Sequence, residues 1–311
     1  MNDLYTIPDI TRQNFHQRYK RMLAKEELKE QLLPLIKKLR ISHPKMSART
    51  MYIKLVPQGI GRDVFENFAF ENGYKLVKSK RFINTTDSTG VVRFPNLLEG
   101  LTINKPNQVL VSDITYYWLV DRYYYITLIM DIYTRFIPGC YASDSLMTIN
   151  TTLPALKLAI NTLGITRNSD CTILHSDGGG QYYSKPFIKL TKAYGIKNSM
   201  GQIVHDNSHA ERVIETIKNC YIEPYNPKNF QQLKKYLTMA VRMYNFERPH
   251  SSLNKLTPYD FEQQINKIMV DKRPQLHVFA SVLTKNNNYK QKEKRSKKEK
   301  VYTLYKKVNL I

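Results

Sequence analysis

Apolar residues recur at helical spacing early in the chain, with Leu28, Leu32, Leu35, Ile36 and Leu39 along one side, and predict a helix over 9–40. Pro44 and Ser47 open a short helix that runs through Met51 and Leu55. A turn at 57–61 (PQGIG) leads into a second short helix over 62–72, closed by Gly73. Two short helices across a glycine turn have the layout of a helix-turn-helix DNA-binding unit. Asp63, Glu66 and Glu71 make the second helix acidic, which is awkward on phosphates, so an ordinary helical hairpin fits equally well.

Residues 78–106 read as a linker, basic at Lys78, Lys80 and Arg81, polar over 84–90 and punctuated by Pro95 and Pro106. Beyond Pro106 the period changes. Stretches 108–117 (QVLVSDITYY), 123–132 and 135–141 are rich in Val, Ile and Tyr and predict three consecutive strands. A helix follows over about 147–163, closed by Gly164, and a strand over 171–176 runs into Asp177 and three glycines. Next come a helix opening at Lys185 and Pro186, a strand over 196–200 and a helix over 210–220 that Asn207 or Ser208 can cap. The remainder reads as helical, over 231–246 and again after Thr257 and Pro258, with Thr at the N-cap and Pro at the first helical position. Three strands followed by alternating helix and strand predict a mixed, five-stranded α/β sheet flanked by helices. The expected division is a helical, helix-turn-helix-like region at 1–77, a linker at 78–106, a mixed α/β core at 107–222, a helical C-terminal extension at 223–285 and a basic flexible tail at 286–311.

Composition narrows the partners. The chain has 311 residues, 48 Lys and Arg against 26 Asp and Glu, and a net charge of +22. With 42% hydrophobic and 24% charged residues it is globular rather than wholly disordered. No apolar run approaches the roughly 20 residues that span a bilayer, and the first residues lack the basic start and apolar block of a secretory signal. A cytoplasmic, nucleoid-associated protein is the expectation. Cys140, Cys171 and Cys220 form neither a CxxC pair nor a disulfide framework and are expected to be buried thiols. The tail contributes +7, centred on 290–300 (KQKEKRSKKEK), and leaves +15 on the rest of the chain. A membrane surface or an acidic protein would attract such charge, but DNA is the simplest partner.

Three acids sit where folding alone gives little reason for them. Asp113 interrupts an apolar strand, where a carboxylate is costly unless paired or metal-bound. Asp177 ends the next apolar strand, and the glycines after it clear side chains from the space beside it. Glu211 lies in the first turn of a helix. Converging carboxylates repel one another, and divalent cations relieve that repulsion. Oxygen donors with few His or Cys nearby favour Mg²⁺ or Mn²⁺. Two such ions would activate a water or 3′-hydroxyl and stabilise the leaving oxygen of a phosphodiester.

The motif DITY from Asp113, HSDGGGQY from His175 to Tyr182, Asp206 and Asn207 followed by Ala210 and Glu211, and YNFERPH from Tyr244 to His250 with Leu253 resemble the DDE transposases of bacterial insertion sequences. The nearest branch is similar to the two-reading-frame family, whose catalytic core resembles retroviral integrase. Pro95 to Leu98, Pro106 to Gln108, and Asp131 with Arg135 and Gly139 add to the likeness, as does the hairpin over 44–76.

The resemblance implies an RNase H-like core, with Asp113, Asp177 and Glu211 as the triad and as ligands of two Mg²⁺ ions, Mn²⁺ substituting. Lys218, two turns along the helix from Glu211, matches a basic position expected to touch DNA near the site. Arg62, Arg248, Lys294 and Arg295 are further candidate DNA contacts; for Arg248 and His250 helix packing is equally open. The interval from Asp177 to Glu211 is shorter than usual in that family, which makes Glu215, one turn on, the rival. The chain also starts after the upstream segment that complete family members carry, which points to a downstream-frame product.

The implied activity is cleavage of element ends and attack of the freed 3′-hydroxyl on another strand, on double-stranded DNA, in a homo-oligomeric synaptic complex, with an upstream-frame protein or fusion as a further partner. A transposon-derived DNA-binding protein without catalysis and an RNase H-like nuclease are the alternatives. Remaining residues have blander expectations: His205 and His209 in a loop or cap, His175 in packing, Asp121 and Asp131 at turns, and 123–125 as tyrosines of a half-exposed strand rather than a base-stacking surface.

Overall fold

In the computed structural model, residues 11–77, 94–167, 172–201 and 207–278 are described. The chain opens with α1 (Arg12–Ser42), whose Thr11 side chain accepts from the Asn14 N–H. Leu32, Ile36 and Leu39 of α1 pack against α2 (Ala48–Leu55) and α3 (Arg62–Glu71) through Met51, Phe65 and Ala69, with Met46 filling the corner. Ser47 caps α2 through the Thr50 N–H. Helical periodicity and capping chemistry located all three helices to within a few residues.

The sheet holds β2 (Val109–Leu119), β3 (Arg122–Asp131), β4 (Gly139–Ser143), β5 (Ile173–Ser176) and β6 (Lys197–Met200) in the order β4-β3-β2-β5-β6. β2, β3 and β4 are antiparallel neighbours, whereas β2–β5 and β5–β6 pair in parallel. This is the mixed five-stranded, RNase H-like sheet. Alternation along β2 divides the core in two. Val109, Val111, Tyr117 and Leu119 face α6 (Ser208–Ile217) and α8 (Phe230–Phe246), while Leu110 faces α4 (Thr152–Leu163) and the Phe187 side of α5 (Lys185–Ala193). α8 therefore shares the hydrophobic core of the sheet, as do Phe261 and Ile265 of α9 (Pro258–Asn266).

Local differences from the sequence expectations have identifiable causes. The strand expected from 135 begins only at Gly139, because Asp131 organises a turn. Its carboxylate accepts from the Thr134 hydroxyl (2.6 Å) and from the Thr134 and Tyr133 N–H groups. Arg135, with φ of 64°, closes that turn by donating its N–H to the Asp131 carbonyl at 2.8 Å. The helix expected over 210–220 leaves α geometry at Lys218 and becomes a π-helical segment, Lys218–Ile222, followed by α7 (Glu223–Tyr225). Pro224 supplies the reason: its ring opposes the carbonyl one α-turn back, and the Glu223 N–H bonds the Lys218 carbonyl five residues back. Within the stretch expected to be linker, β1 (Thr102–Ile103) pairs with β7 (Leu276–His277). Asn207 occupies the N-cap position of α6 but makes no side-chain cap bond.

Two close contacts fix how the elements sit. A Cβ on Gly139 would lie 2.4 Å from the Ala155 carbonyl oxygen and 2.9 Å from the Ala159 Cβ, so only glycine lets β4 meet α4. The N-terminal helices are fastened to the core through a polar junction. His43 Nδ1 lies 3.0 Å from the Tyr221 hydroxyl, Lys54 donates to the Glu247 carbonyl at 2.8 Å, and the Tyr225 hydroxyl donates to the Ser42 carbonyl at 2.6 Å. Burial and the neighbouring Lys54 charge lower His43 to about 4, against the opposing pull of Glu247 at 3.4 Å, with Arg248 also lowering it. Burial, Arg248 and Arg135 lower His250 to about 3.

Gly139→Ala is expected to destabilise the protein by about 1–3 kcal/mol through overpacking, seen as a fall in the thermal midpoint without loss of the folded circular dichroism spectrum. The histidines give a pH dependence of definite sign. Both folded values lie below the ordinary value near 6.5, so the unfolded chain takes up protons that the folded chain refuses. Stability is therefore full above about pH 6.5 and falls as the pH drops toward 4. Thermal midpoints measured across that window should fall more steeply for the wild type than for His43→Gln.

Candidate active site

The position of the first two acids follows from strand register. β2 and β5 pair in parallel with Val109 opposite Ile173, Leu110 opposite Leu174 and Val111 opposite His175. Carrying that offset two residues further sets Asp113 beside Asp177, on neighbouring strands and at the point where β5 ends. Both carboxylates take a local backbone donor: Asp113 accepts from the Ile114 N–H at 2.7 Å and Asp177 from the Gly179 N–H at 3.1 Å. Of the glycines after Asp177, Gly179 clears space beside it, since a Cβ there would lie 3.0 Å from Asp177 Oδ1.

α6 crosses β2 on the same face. Ala210, Val213, Ile214 and Ile217 form its buried side, leaving Glu211 exposed in the first turn. Two side-chain bonds pin the helix to β2. Asn207 Nδ2 donates to the Ser112 carbonyl at 3.0 Å, next to Asp113, and Lys218 Nζ donates to the Tyr116 carbonyl at 3.0 Å. Below the other face, the Tyr182 and Ser112 hydroxyls lie 2.9 Å apart.

The electrostatics follow from this crowding. Burial, then the charge of Asp177 and a smaller contribution from Glu211, push Asp113 up to about 8. Asp177 is raised as well, by burial. The groups acting on Asp113 are thus two further carboxylates, opposed only by the Ile114 N–H. Among the described residues no three His, Cys, Asp or Glu side chains lie close enough to cage an ion as they stand. The donor set facing the site is nevertheless all oxygen and negatively charged, which suits a hard divalent cation rather than a thiolate-seeking one.

The other sequence candidates lie elsewhere. Arg62, at the start of α3, is exposed and paired with Asp63 at 2.7 Å and Glu66 at 3.8 Å. Arg248 turns into the junction beneath the N-terminal helices, against Tyr221 and near His43. Lys294, Arg295, His205, Asp206 and Cys171 lie outside the described residues. His175 is buried, with Nδ1 2.9 Å from the Ser199 hydroxyl, and so helps join β5 to β6. Asp131 is the turn organiser already described.

Sequence reasoning missed four supports of the site: the Asn207 tether, the approach of Tyr116 and Tyr182 to the acids, and the bond from Arg135 Nη1 to His209 Nδ1 at 2.7 Å. Burial and Arg135 lower His209 to about 4, so its imidazole is neutral and accepts from the guanidinium. The YNFERPH motif now has a local explanation. Asn245 accepts from the Ile137 N–H and donates to the Ile137 carbonyl, both at 2.9 Å, while the Tyr244 and His250 rings meet edge to face at 4.7 Å. Its polar letters were the available signal, because an asparagine buried inside an amphipathic helix needs a specific partner.

Residues 103–205 match the family described as Integrase core domain, and residues 194–258 match a second family of the same description. The insertion element IS600 uncharacterized 31 kDa protein of Shigella sonnei is 29% identical over 227 residues, 71% of this chain and 82% of that protein. The putative transposase InsK for insertion sequence element IS150 of Escherichia coli (strain K12) is 27% identical over 193 residues, covering 60% of this chain and 66% of InsK. The HTLV-2 integrase catalytic core domain in complex with magnesium superposes with a TM-score of 0.41 at 20% identity, over 51% of this chain and 97% of that domain. The two integrase-core matches run together from 103 to 258 and take in Asp113, Asp177 and Glu211; the chain belongs to the integrase-core proteins and is similar to insertion-sequence transposases.

Proposed function

We propose that the chain cuts the ends of an insertion element and joins the freed 3′-hydroxyl to another DNA strand, with Asp113, Asp177 and Glu211 as its catalytic carboxylates. The observation that carries this reading is the β2–β5 register, which brings Asp113 level with Asp177 just beyond the last paired residues, beneath a helix that presents Glu211, with burial and neighbouring charge raising Asp113 to about 8. Repulsion of this kind calls for a cation. Asp113, Asp177 and Glu211 would hold Mg²⁺, with Mn²⁺ as substitute and two ions as the working number. Bound there, the metal would supply Lewis-acid stabilisation of the oxygens entering and leaving phosphorus.

The reaction is a displacement at phosphorus in both stages. In cleavage a water oxygen bonds to the phosphorus as the bond to the 3′-oxygen breaks, and the proton balance leaves a 3′-hydroxyl. In joining, that 3′-oxygen bonds to a phosphorus of the second strand, whose own 3′-oxygen departs with a proton. The chain's task is positioning. The β2–β5 register holds the two aspartates side by side, Asn207 and Lys218 fix α6 across them, and Gly179 keeps the space beside Asp177 open. Lys218 is also the basic group placed to meet a phosphate near the acids.

The substrate is double-stranded DNA, element end and target, and joining two ends requires a homo-oligomeric synaptic complex, with an upstream-frame segment as a further partner. Arg62 and the tail residues Lys294 and Arg295 would add salt-sensitive, sequence-independent affinity. No helix among the described residues is long and apolar enough to cross a membrane.

Labelled duplexes carrying the element's own flanking ends test this reading in Mg²⁺ and in Mn²⁺. Joined products should form only with metal and fall on the order of a thousandfold in both Asp177→Asn and Glu211→Gln. Retention of activity in Glu211→Gln with its loss in Glu215→Gln would transfer the third role to Glu215. Binding without cutting in either metal, also with an upstream-frame protein added, would leave a non-catalytic DNA-binding protein. Asn207→Ala should slow joining about tenfold while lowering stability by only about 1 kcal/mol, because it removes one hydrogen bond that sets the helix against Ser112.

A further inference from the structure

The β2–β3 hairpin continues well beyond the point where β5 stops. β5 pairs with β2 only through Val111, whereas β2 and β3 remain paired out to Leu119 and Arg122. On one face of this extension, Tyr116 lies opposite Tyr125 and Trp118 opposite Tyr123. The four rings form a continuous row: Tyr116 to Tyr125 at 5.3 Å, Tyr116 to Tyr123 at 6.1 Å, and Trp118 to Tyr123 at 4.8 Å, all edge to face. Trp118 is 56% exposed, Tyr123 51% and Tyr116 43%. A single cross-strand pair would serve to stabilise the hairpin. A row of large rings open to water on a strongly basic chain has the character of a contact surface.

The row begins at the acidic site. The charges of Asp177 and Asp113 both bear on the Tyr116 hydroxyl, and the Tyr116 carbonyl accepts from Lys218. A strand whose phosphodiester lies at Asp113 and Asp177 would reach Tyr116 by crossing the edge of β2 left open where β5 stops, and would then run along the hairpin. Aromatic faces beside a basic group suit bases that have left the double helix, because stacking needs a free base face and tolerates any sequence.

We infer that Tyr116, Trp118, Tyr123 and Tyr125 form a stacking surface for the unpaired bases of a single DNA strand leaving the acidic site. The inference deepens the transposase reading and rests on it. Such a surface would hold the strand on one side of the cut apart from its complement.

The chain contains a single tryptophan, Trp118. Its fluorescence therefore reports on this row alone. The experiment titrates the full chain, in calcium buffer to prevent turnover, with a dT12 oligonucleotide, a blunt 20-base-pair duplex, and the same duplex with a dT6 tail. The expected result is saturable quenching of Trp118 by dT12 and by the tailed duplex, with little change for the blunt one. Tyr123→Ala should weaken binding of the tailed duplex by about tenfold, leave binding of the blunt duplex unchanged, and be rescued by Tyr123→Phe. Equal affinity for tailed and blunt duplexes with no quenching would overturn the inference while leaving the transposase reading in place. Absence of binding to any DNA would overturn both. A fluorescence shift that depends on protein concentration and not on DNA would assign the row to contact between copies of the chain and overturn the stacking role.

Discussion

Parallel pairing of two short strand segments sets everything else at the acidic site. β2 and β5 share only three register positions, yet that alignment brings Asp113 level with Asp177, although the two residues are far apart in sequence. A slip of one residue would send one carboxylate to the opposite face. The register is held from both sides by hydrophobic layers: Val109 and Val111 against α6 and α8, Leu110 and Leu174 against α4 and α5. Packing of this kind offsets the cost of placing two carboxylates at the heart of a sheet.

The third acid is controlled differently. Glu211 is exposed and belongs to a helix, so its place depends on how α6 lies across β2. The buried side of that helix sets its distance from the sheet, and Asn207 and Lys218 set its direction along the strand. Two aspartates held by the sheet and one carboxylate on a separately anchored helix make a site whose geometry depends on both sets of contacts.

Much of this was legible in the sequence. The change of period after Pro106, the strand broken by Asp113 and the glycines after Asp177 located the sheet and two of its acids, and helix capping located Thr257 and Pro258. Long-range pairings were not legible, because nothing local encodes them. Asn207 reads as an ordinary cap until Ser112 is seen opposite it, and Arg135 reads as a strand residue until Asp131 gathers the turn around itself. The π-helical segment depends on Pro224, which lies beyond the stretch expected to end that helix. Sequence also favoured plain alternation for the tyrosines of β3. The exposed row became apparent only once register set Trp118 and Tyr116 across from them.

The junction between the N-terminal helices and the core has a consequence for synthesis. His43 meets Tyr221 across 178 residues of chain. At about 5–20 residues per second, that separation corresponds to roughly 10–35 s between the emergence of the two partners from a ribosome. During that interval α1, α2 and α3 have their own hydrophobic cluster but no core to dock on. The helix that bears Glu211 emerges just before the residues that fasten its far end. A nascent chain thus completes its N-terminal bundle first and ties that bundle to the end of the Glu211 helix near the end, so a product truncated before Tyr221 would carry the bundle without its anchor.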